Sequence, residues 1–304
     1  MRAKKIKPGF QLFLMSAPLL TLVFMFSYLP LYGWIYAFFD YRAGMQLQNT
    51  MFAGLKYFRM IAGNPVTQRD ILRVMTNTFA MSLLNIGTSW LPVLFAILLN
   101  EIRSTRYRKT VQTLTTLPHF ISWVLVYSVI WSMFSVGDGL VNRLLMSFGL
   151  ISREINFLAS RNNVWVTQWL YYTWKSLGWS AILYIATIAG IDGELYEAAR
   201  VDGASRLRVI LHITIPGLLP AYFVLLLLAI ANFINNGMEQ YFVFQNAMNK
   251  HYIEVLDLYV YNIGIVGNQI PYGTAVGMLK SLVSVALLFT ANWGSKLIRG
   301  ESII

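Results

Sequence analysis

Residues 217–236 read GLLPAYFVLLLLAIANFINN, a run that contains no charged side chain. A helix needs roughly 20 mostly apolar residues to cross about 30 Å of hydrocarbon at 1.5 Å per residue. This run therefore predicts a membrane-spanning helix. Five more stretches of at least this length carry almost no charge and predict five more spans: approximately Phe10–Phe39, Val74–Asn100, Thr110–Val136, Val164–Gly190 and Pro271–Trp293.

The composition favours a membrane protein over any soluble class. Hydrophobic residues make up 57% of the 304 residues and charged residues only 12%, whereas soluble domains carry about 25% charged residues. The mean hydropathy is +0.55. A soluble enzyme, a secreted disulfide scaffold and a disordered regulator are therefore disfavoured. Because the chain has no cysteine, it has no disulfide, no thiolate nucleophile and no cysteine-ligated metal centre.

The sequence thus predicts an all-α integral membrane protein with six transmembrane helices in a single domain, residues 1–304. The net charge of +11 is attributed to cytoplasmic loops and lipid head groups, because the basic residues lie between apolar spans, and no nucleic-acid partner is expected.

The distribution of Lys and Arg predicts the orientation, because these residues accumulate in the cytoplasmic segments of membrane proteins. If the N-terminus is cytoplasmic, every inside segment is basic, and the density of basic residues there exceeds that of the outside segments. Both termini are then cytoplasmic, as six spans require. The basic residues of the inside segments are Arg2, Lys4, Lys5, Lys7, Arg103, Arg106, Arg108, Lys109, Arg200, Arg206, Arg208, Lys296 and Arg299.

One inside segment, residues 191–216 between the fourth and fifth spans, differs from a short basic turn. Residues 194–201 are good helix formers, Gly203 after Asp202 can supply a left-handed turn, and residues 204–212 resume a helical pattern. Ala198 and Ala199 permit close approach of another protein, and Glu197 offers it a carboxylate. From the residues alone, a partner-binding hairpin and an ordinary amphipathic hairpin that stays on the lipid are equally acceptable.

The same segment resembles the signature loop of permease subunits in bacterial ABC importers. The match consists of Glu197-Ala198-Ala199, three residues, Gly203, nine residues, Ile213, one residue, and Ile215-Pro216. The sequence departs from the family pattern at position 215, where Ile replaces the usual Leu. Looser similarity extends along the chain, since Gly54–Phe58 resembles a segment of carbohydrate permeases. Toward the end, short stretches such as Gln240-Tyr241, Val255-Leu256-Asp257 and Ala275-Val276-Gly277 resemble the branch of the maltose-type family that imports oligosaccharides derived from polysaccharides.

This resemblance implies a role and a set of partners. The loop would couple a separate ATPase to the spans, with Glu197, Ala198, Ala199, Asp202, Gly203, Ile213 and Pro216 as its signature residues. The implied partners are a second homologous permease subunit, two ATP-binding subunits, an extracytoplasmic solute-binding protein and the lipid bilayer of the bacterial cytoplasmic membrane, where the chain would be a multi-pass protein. No phosphate-binding loop of the Gly-x-x-x-x-Gly-Lys type occurs, so ATP and Mg would be used by the partner subunits and this non-catalytic chain would bind no cofactor.

Polar and aromatic side chains within the spans predict a path for the solute. Hydroxyl groups of a sugar bond to polar tips, and sugar rings stack on aromatic faces. The alternative is structural: the two lysines bond helix ends or reach the interface, and the asparagines join helices. The candidate path residues are Asn85, Gln168, Tyr172, Lys175, Trp179, Asn232, Asn235 and Lys280.

Two other functions were weighed against an oligosaccharide permease. A secondary transporter driven by an ion gradient would need carboxylates or broken helices at mid-membrane, and no Asp or Glu lies deep in a predicted span. A membrane enzyme would need clustered acids or histidines, but His119, His212 and His251 are scattered and predict neither a metal site nor a catalytic triad. The outer loops have only a faint excess of basic residues, so a neutral oligosaccharide is favoured and an acidic one stays open.

Overall fold

The computed structural model describes residues 8–159 and 163–299. Within these ranges the regular secondary structure is helical, apart from an isolated antiparallel bridge between Phe39 and Phe52. The predicted all-α class is therefore confirmed for the described residues. The chain divides into two units, one formed by the residues up to Gln68 with Val260–Lys280 and the other by Arg69–Tyr259 with the residues from Ser281 onward.

Helices follow one another with short connections. The α-helices of the described residues are α1 Pro8–Val23, α2 Lys56–Gly63, α3 Pro65–Gly87, α4 Leu91–Asn100, α5 Thr105–Thr116, α6 Trp123–Phe134, α7 Leu140–Ser147, α8 Val164–Ala189, α9 Gly193–Val201, α10 Arg206–Val209, α11 Ile215–Ala231, α12 Glu239–Phe244, α13 Lys250–Ile253, α14 Leu256–Tyr261 and α15 Ile270–Arg299. Segments of 3₁₀-helix cover Leu29–Phe38, Leu47–Asn49 and Leu117–Phe120, and π-helical segments cover Phe24–Tyr28, Ile210–Thr214 and Asn262–Val266.

The described residues contain four helical segments that are long and apolar enough to cross a membrane. Two bent helix pairs bring the number to six if each pair is one span: Thr105–Phe120 with Trp123–Phe134, and Val164–Ala189 with Gly193–Val201. The four long segments are Leu12–Phe38, Pro65–Asn100, Arg206–Ala231 and Ile270–Gly294. The basic residues at positions 2–7 and residues 300–304 lie outside the described residues, so the location of both termini stays a prediction.

The third predicted span is not one straight helix. The sequence predicts a single helix from Thr110 to Val136, but in the structure the two halves of this span form an angle of 109°. Pro118 lacks the backbone N–H that would continue the helix, and the Ser122 side chain caps α6 by accepting a hydrogen bond from the Leu125 N–H at 3.4 Å. The carbonyls freed by the break are bonded by Lys175, whose Nζ donates to Pro118 O at 3.1 Å and to His119 O at 2.7 Å.

The fifth span begins earlier than the apolar run that predicts it. The helix starts at Arg206 rather than near Gly217 and continues through the π-helical segment Ile210–Thr214 into α11. In that segment the Ile215 N–H donates to Ile210 O, which carries the helix past the missing N–H of Pro216. The helix ends at Ala231, so the asparagines that follow it form a turn.

In the first unit, α1 continues through its π and 3₁₀ segments to Phe38. The polar residues that follow are bonded to one another: the Asp40 carboxylate accepts from Lys56 Nζ at 2.7 Å and from the Tyr57 hydroxyl at 2.6 Å. The hydrogen bond from Lys56 lowers the pKa of Asp40. Burial, together with the hydrogen bond to Asp40, raises the pKa of Tyr57 to about 12.

In the second unit, an apolar core joins three helices. Buried side chains of α4, α8 and α11 meet there: Ala96, Ile97, Ala181, Tyr184, Ile188 and Leu218. Helix α5 also contacts α8 closely, because a Cβ at Gly178 would lie 2.3 Å from the backbone oxygen of Thr115. Only glycine permits this approach, so the crossing of α5 and α8 is fixed at that point.

Candidate functional site

The segment of residues 191–216, called the coupling loop from here on, forms a helix, a reversal and a second helix. Asp192 caps α9 by accepting a hydrogen bond from the Glu194 N–H at 3.0 Å. At the other end Gly203 has a φ of +67°, and the N–H groups of Gly203 and Ala204 donate to the carbonyls of Arg200 and Ala199. These two bonds and the left-handed glycine constitute a Schellman motif, which ends α9 and reverses the chain.

Helix α9 is exposed along its length. None of its residues is buried, and Glu197 and Ala198 are open to the surroundings while Ala199 is half-buried. Two large apolar side chains are also uncovered, since Leu195 is 52% exposed and Val201 is 89% exposed. The described residues therefore leave a short helix with an apolar surface and a free carboxylate uncovered, and such a patch is suited to a protein partner.

The coupling loop is attached to the helix that follows it. The Tyr196 hydroxyl lies 3.2 Å from Thr214 Oγ1, and Thr214 is buried. A Cβ at Gly217 would lie 2.6 Å from Ile191 Cδ1, so the chain entering the loop contacts α11 directly. Helix α9 and the chain that enters it are therefore held against the helix that continues as α11.

The other signature residues lie at the reversal after α9 and where the loop joins α11. Asp202 and Gly203 are exposed at the reversal, Ile213 is half-buried in the π-helical segment, and Pro216 is exposed in the first turn of α11. Sequence reasoning missed Tyr196, Thr214 and Ile191. Tyr196 directly precedes Glu197 and Thr214 lies between Ile213 and Ile215, so their positions beside motif residues were the only signal; Ile191 had none.

The second unit also contains a cavity of about 490 Å³ among α3, α4, α8, α11 and the turn after α11. This volume lies in the usual range of small-molecule sites. Its polar and aromatic lining comprises Ser82, Asn85, Thr88, Ser89, Tyr172, Thr173, Ser176, Trp179, Ser180, Tyr184, Asn232, Phe233, Asn235, Asn236 and Tyr241.

Five of the predicted path residues line this cavity. They are Asn85, Tyr172, Trp179, Asn232 and Asn235.

The other three predicted path residues lie elsewhere. Gln168 is buried, and its Oε1 accepts from Gln240 Nε2 at 2.9 Å. Lys175 is buried and bonds the carbonyls at the break after α5, as in the structural alternative for this lysine. Lys280 is half-buried in α15, in the first unit.

The chemistry of the cavity suits a ligand rich in hydroxyl groups. Its lining offers amides, hydroxyls and two partly exposed aromatic rings, Tyr172 at 43% and Trp179 at 46%. The Trp179 indole is held parallel to the His119 ring, with centroids 4.6 Å apart and 1° between the planes. No charged side chain is found among the described residues that line the cavity.

Several cavity residues were not predicted. Asn236 Nδ2 donates to Ser82 Oγ at 2.9 Å, and Asn236 Oδ1 is buried with no partner among the described residues. Ser89 Oγ lies 3.0 Å from the Tyr222 hydroxyl. Ser176 and Ser180 follow Tyr172 at steps of four residues, a helical spacing that could have identified them.

The described residues contain no group of three or more His, Asp or Glu side chains placed to hold a metal ion.

Two known proteins are similar to this chain over most of its length. The chain is 37% identical to protein LplB of Bacillus subtilis (strain 168) over 94% of this chain and 88% of that protein. It is also 37% identical to the polygalacturonan/rhamnogalacturonan transport system permease protein YteP of the same organism, over 96% of this chain and 89% of the relative.

A solved structure is similar over nearly the whole chain. It is the crystal structure of a bacterial alginate ABC transporter in complex with an alginate pentasaccharide-bound periplasmic protein. The matching chain has a TM-score of 0.85 and 30% identity, covering 99% of both chains.

The family model of binding-protein-dependent transport system inner membrane components matches residues 90–299, a range that includes the coupling loop and every cavity-lining residue from Leu91 onward. The resemblance inferred from the loop motif is thereby confirmed, and this chain belongs to the family of inner membrane components, or permeases, of binding-protein-dependent transport systems.

Proposed function

We propose that this chain is a permease subunit of an ATP-driven ABC importer that moves oligosaccharides across the bacterial cytoplasmic membrane. The observation that carries the proposal is the construction of the coupling loop. Helix α9 is exposed and carries the Glu197-Ala198-Ala199 part of the family motif. Its Tyr196 contacts Thr214, the last residue of the π-helical segment that continues into α11. An exposed helix that is fixed to a membrane helix can receive a displacement from a partner and pass it into the membrane.

The proposed topology is six spans in one permease domain, with both termini and the coupling loop cytoplasmic. Four long helical segments and two bent pairs support this number of spans. The basic residues of the segments at positions 101–109 and 200–208 support the orientation.

The proposed assembly contains a second homologous permease, two ATP-binding subunits and an extracytoplasmic solute-binding protein. The chain has no phosphate-binding loop of its own, so ATP and Mg would act in the ATP-binding subunits and this chain would be non-catalytic. A solute-binding protein is supported by the similar structure, whose transporter is in complex with a pentasaccharide-bound periplasmic protein.

In the proposed mechanism, the cavity opens alternately to the two sides of the membrane. Closure of the ATP-binding subunits around ATP would move α9, and the contact of Tyr196 with Thr214 would pass this movement to α11. Asn232 and Asn235 follow directly after α11 and line the cavity. The same displacement would therefore rearrange the groups that face the solute.

The proposed substrate is an oligosaccharide, with a neutral one favoured. The cavity combines amides, hydroxyls and aromatic faces, which are groups that bind sugar hydroxyls and sugar rings. A charged saccharide would need its carboxylates bonded by neutral donors here or by the second permease. The transport-system relative is named for polygalacturonan and rhamnogalacturonan, so uronide-containing oligosaccharides are the acidic alternative to compare.

The test is uptake by the assembled importer in proteoliposomes. We expect accumulation of oligosaccharide only when Mg-ATP, both permeases, the ATP-binding subunits and the solute-binding protein are all present. Replacing ATP by a non-hydrolysable analogue is the control. Uptake that continues without ATP and follows an ion gradient would instead support a secondary transporter and contradict the proposal.

A further inference from the structure

A second hollow of the molecule, separate from the cavity, is an open groove of about 420 Å³ on the surface of α5 and α8. It is called the lateral groove here. Its lining is Lys109, Gln112, Thr113, Thr116, Leu117, Phe120 and Ile182. None of these residues lines the cavity described above, and the proposed transport cycle leaves them without a role.

The chemistry of the lateral groove changes along its length. An ammonium group lies at one end, amide and hydroxyl groups follow, and Leu117 and Phe120 lie at the other end, where Phe120 is 69% exposed. From Lys109 to Phe120 the helix rises roughly 16 Å at 1.5 Å per residue. This length is close to half of the hydrocarbon thickness of about 30 Å, so the groove matches one leaflet from its head groups to its centre.

The charged end of the groove is positive. Lys109 is the one charged residue among those that line it, and Arg106 lies one helical turn earlier and is exposed. Residues 101–109 contain Glu101 against four basic side chains. This charge is complementary to a phosphate-containing head group, and a protein surface of the same sign would be repelled.

Amide and hydroxyl groups lie in the middle of the groove. Gln112 is half-buried and Thr113 is exposed, so a ligand in the groove can reach their polar atoms. These side chains can donate hydrogen bonds to acceptor oxygens at this depth, such as the ester carbonyls of a glycerolipid.

The floor of the groove is rigid, because α5 and α8 touch at Thr115 and Gly178, one helical turn from Ile182. A site of fixed shape loses little conformational entropy when a ligand binds. From these observations we propose that the lateral groove binds an anionic phospholipid. The lipid phosphate lies against Lys109 and Arg106, its ester region against Gln112 and Thr113, and the start of one acyl chain against Leu117 and Phe120.

This inference rests on one part of the proposed function, the cytoplasmic location of residues 101–109, which assigns the lipid to the inner leaflet. The occupant that competes with the lipid is a side chain of the second permease. The second permease is an outcome of the test.

The experiment is native mass spectrometry of the assembled importer titrated with phosphatidylglycerol or with phosphatidylcholine of the same acyl chains. We expect the wild type to retain phosphatidylglycerol at least about fivefold better, because each basic residue near a head group contributes about 1 kcal/mol. Lys109→Gln should reduce this preference about fivefold and leave the part that Arg106 contributes. Arg103→Gln is the matched control, because it removes an exposed basic residue of the same segment that does not line the groove, and it should retain the preference.

Thr113→Val guards against a folding defect. It replaces an exposed hydroxyl of the groove by a methyl group of similar size, so the variant should fold as the wild type does, yet it should retain about threefold less phosphatidylglycerol. Equal retention of both lipids by the wild type, equal losses in Lys109→Gln and Arg103→Gln, or a structure of the assembly with a partner side chain in the groove would each overturn the inference.

ATP-dependent uptake by the same preparations separates this inference from the proposed function. Intact uptake with no lipid preference refutes the lipid site alone. Since the chain has no native cysteine, a single cysteine introduced by Tyr107→Cys can be labelled from either side of the membrane. Labelling from the outside would refute the proposed topology together with the inner-leaflet assignment.

Discussion

The coupling loop and the cavity differ in how their geometry arises. The loop is one continuous stretch, residues 191–216, whose cap and reversal are made by bonds between residues two to five positions apart. The cavity is formed by residues that lie between positions 82 and 241 of the sequence and meet through the packing of α3, α4, α8 and α11. Local chemistry thus determines the shape of the loop, and tertiary packing determines the shape of the cavity.

This difference predicts two kinds of functional defect. A change in the coupling loop should lower transport of every solute, because it acts on the connection between ATP hydrolysis and the spans. A change in the cavity should alter the KM for the oligosaccharide and leave assembly with the ATP-binding subunits unchanged. The following variants test this separation.

The largest effect is expected for Gly203→Val. Gly203 has a φ of +67°, and a β-branched residue in the left-handed region costs about 2 kcal/mol, which disrupts the reversal after α9. We expect ATP-dependent uptake to fall by about thirtyfold or more while membrane insertion is normal, as measured in proteoliposomes and by membrane fractionation.

Gly193→Val is the control for Gly203→Val. Both glycines lie at ends of α9, and a Cβ at either one would meet no atom within 4 Å. Gly193 is not among the residues of positive φ. If both variants transported equally well, the left-handed turn would have no part in coupling.

A loss of about tenfold in uptake is expected for Glu197→Gln. The carboxylate is exposed on α9, and hydrogen bonds to a charged group contribute about 1.5–3 kcal/mol. ATP hydrolysis by the partner subunits should continue but lose its stimulation by the loaded solute-binding protein. Glu194→Gln, one turn earlier on the same exposed helix, should retain most of the stimulation, and similar losses in both variants would indicate a general charge effect.

For Trp179→Ala we expect the KM for the oligosaccharide to rise about fivefold. The indole is 46% exposed in the cavity, and an aromatic face contributes about 0.5–1.5 kcal/mol to a stacking contact. Trp174→Ala removes an equally exposed tryptophan of α8 that does not line the cavity. A changed kcat with an unchanged KM in Trp179→Ala would contradict a role of this residue in solute binding.

The smallest effect is expected for Tyr196→Phe, which removes one hydroxyl contact to Thr214. A neutral hydrogen bond contributes about 0.5–1.5 kcal/mol, so uptake should fall about threefold for every saccharide tested, with KM unchanged. Tyr107→Phe, at another exposed tyrosine, is the matched control. A loss of uptake for one saccharide only would assign Tyr196 to the solute path and contradict the separation between the coupling loop and the cavity.

The sequence predicts the loop more completely than the cavity, because local bonds determine the loop and tertiary packing determines the cavity. Asp192, the helix formers of α9 and Gly203 act on their immediate neighbours, so the pattern alone indicates a helix followed by a reversal. The bond between Tyr196 and Thr214 depends on how the two helices fold back, and no local pattern specifies it. The bend after Pro118 was not predicted, because the apolar residues around it are equally compatible with a straight helix.

The predicted path residues of α8, which are Gln168, Tyr172, Lys175 and Trp179, are centred roughly a quarter turn away from the face of α8 that lines the cavity. Successive helical residues differ by about 100°, so Gln168 and Lys175 fall to one side of Tyr172, toward Gln240 and the carbonyls at the break after α5. Periodicity identifies a polar face, but the neighbouring helices decide which part of that face opens to the cavity.

One consequence concerns the continuous helix that begins at Arg206 and ends at Ala231. At 1.5 Å per residue its 26 residues extend about 39 Å, from the reversal at Gly203 to the asparagines beside the cavity. In the proposed mechanism this helix acts as a lever arm, and a tilt of a few degrees at its Arg206 end would shift Asn232 by ångströms. The stroke of the importer is then set by the stiffness of a single rod, and softening its π-helical segment should shorten that stroke even when the motor and the sugar contacts are intact.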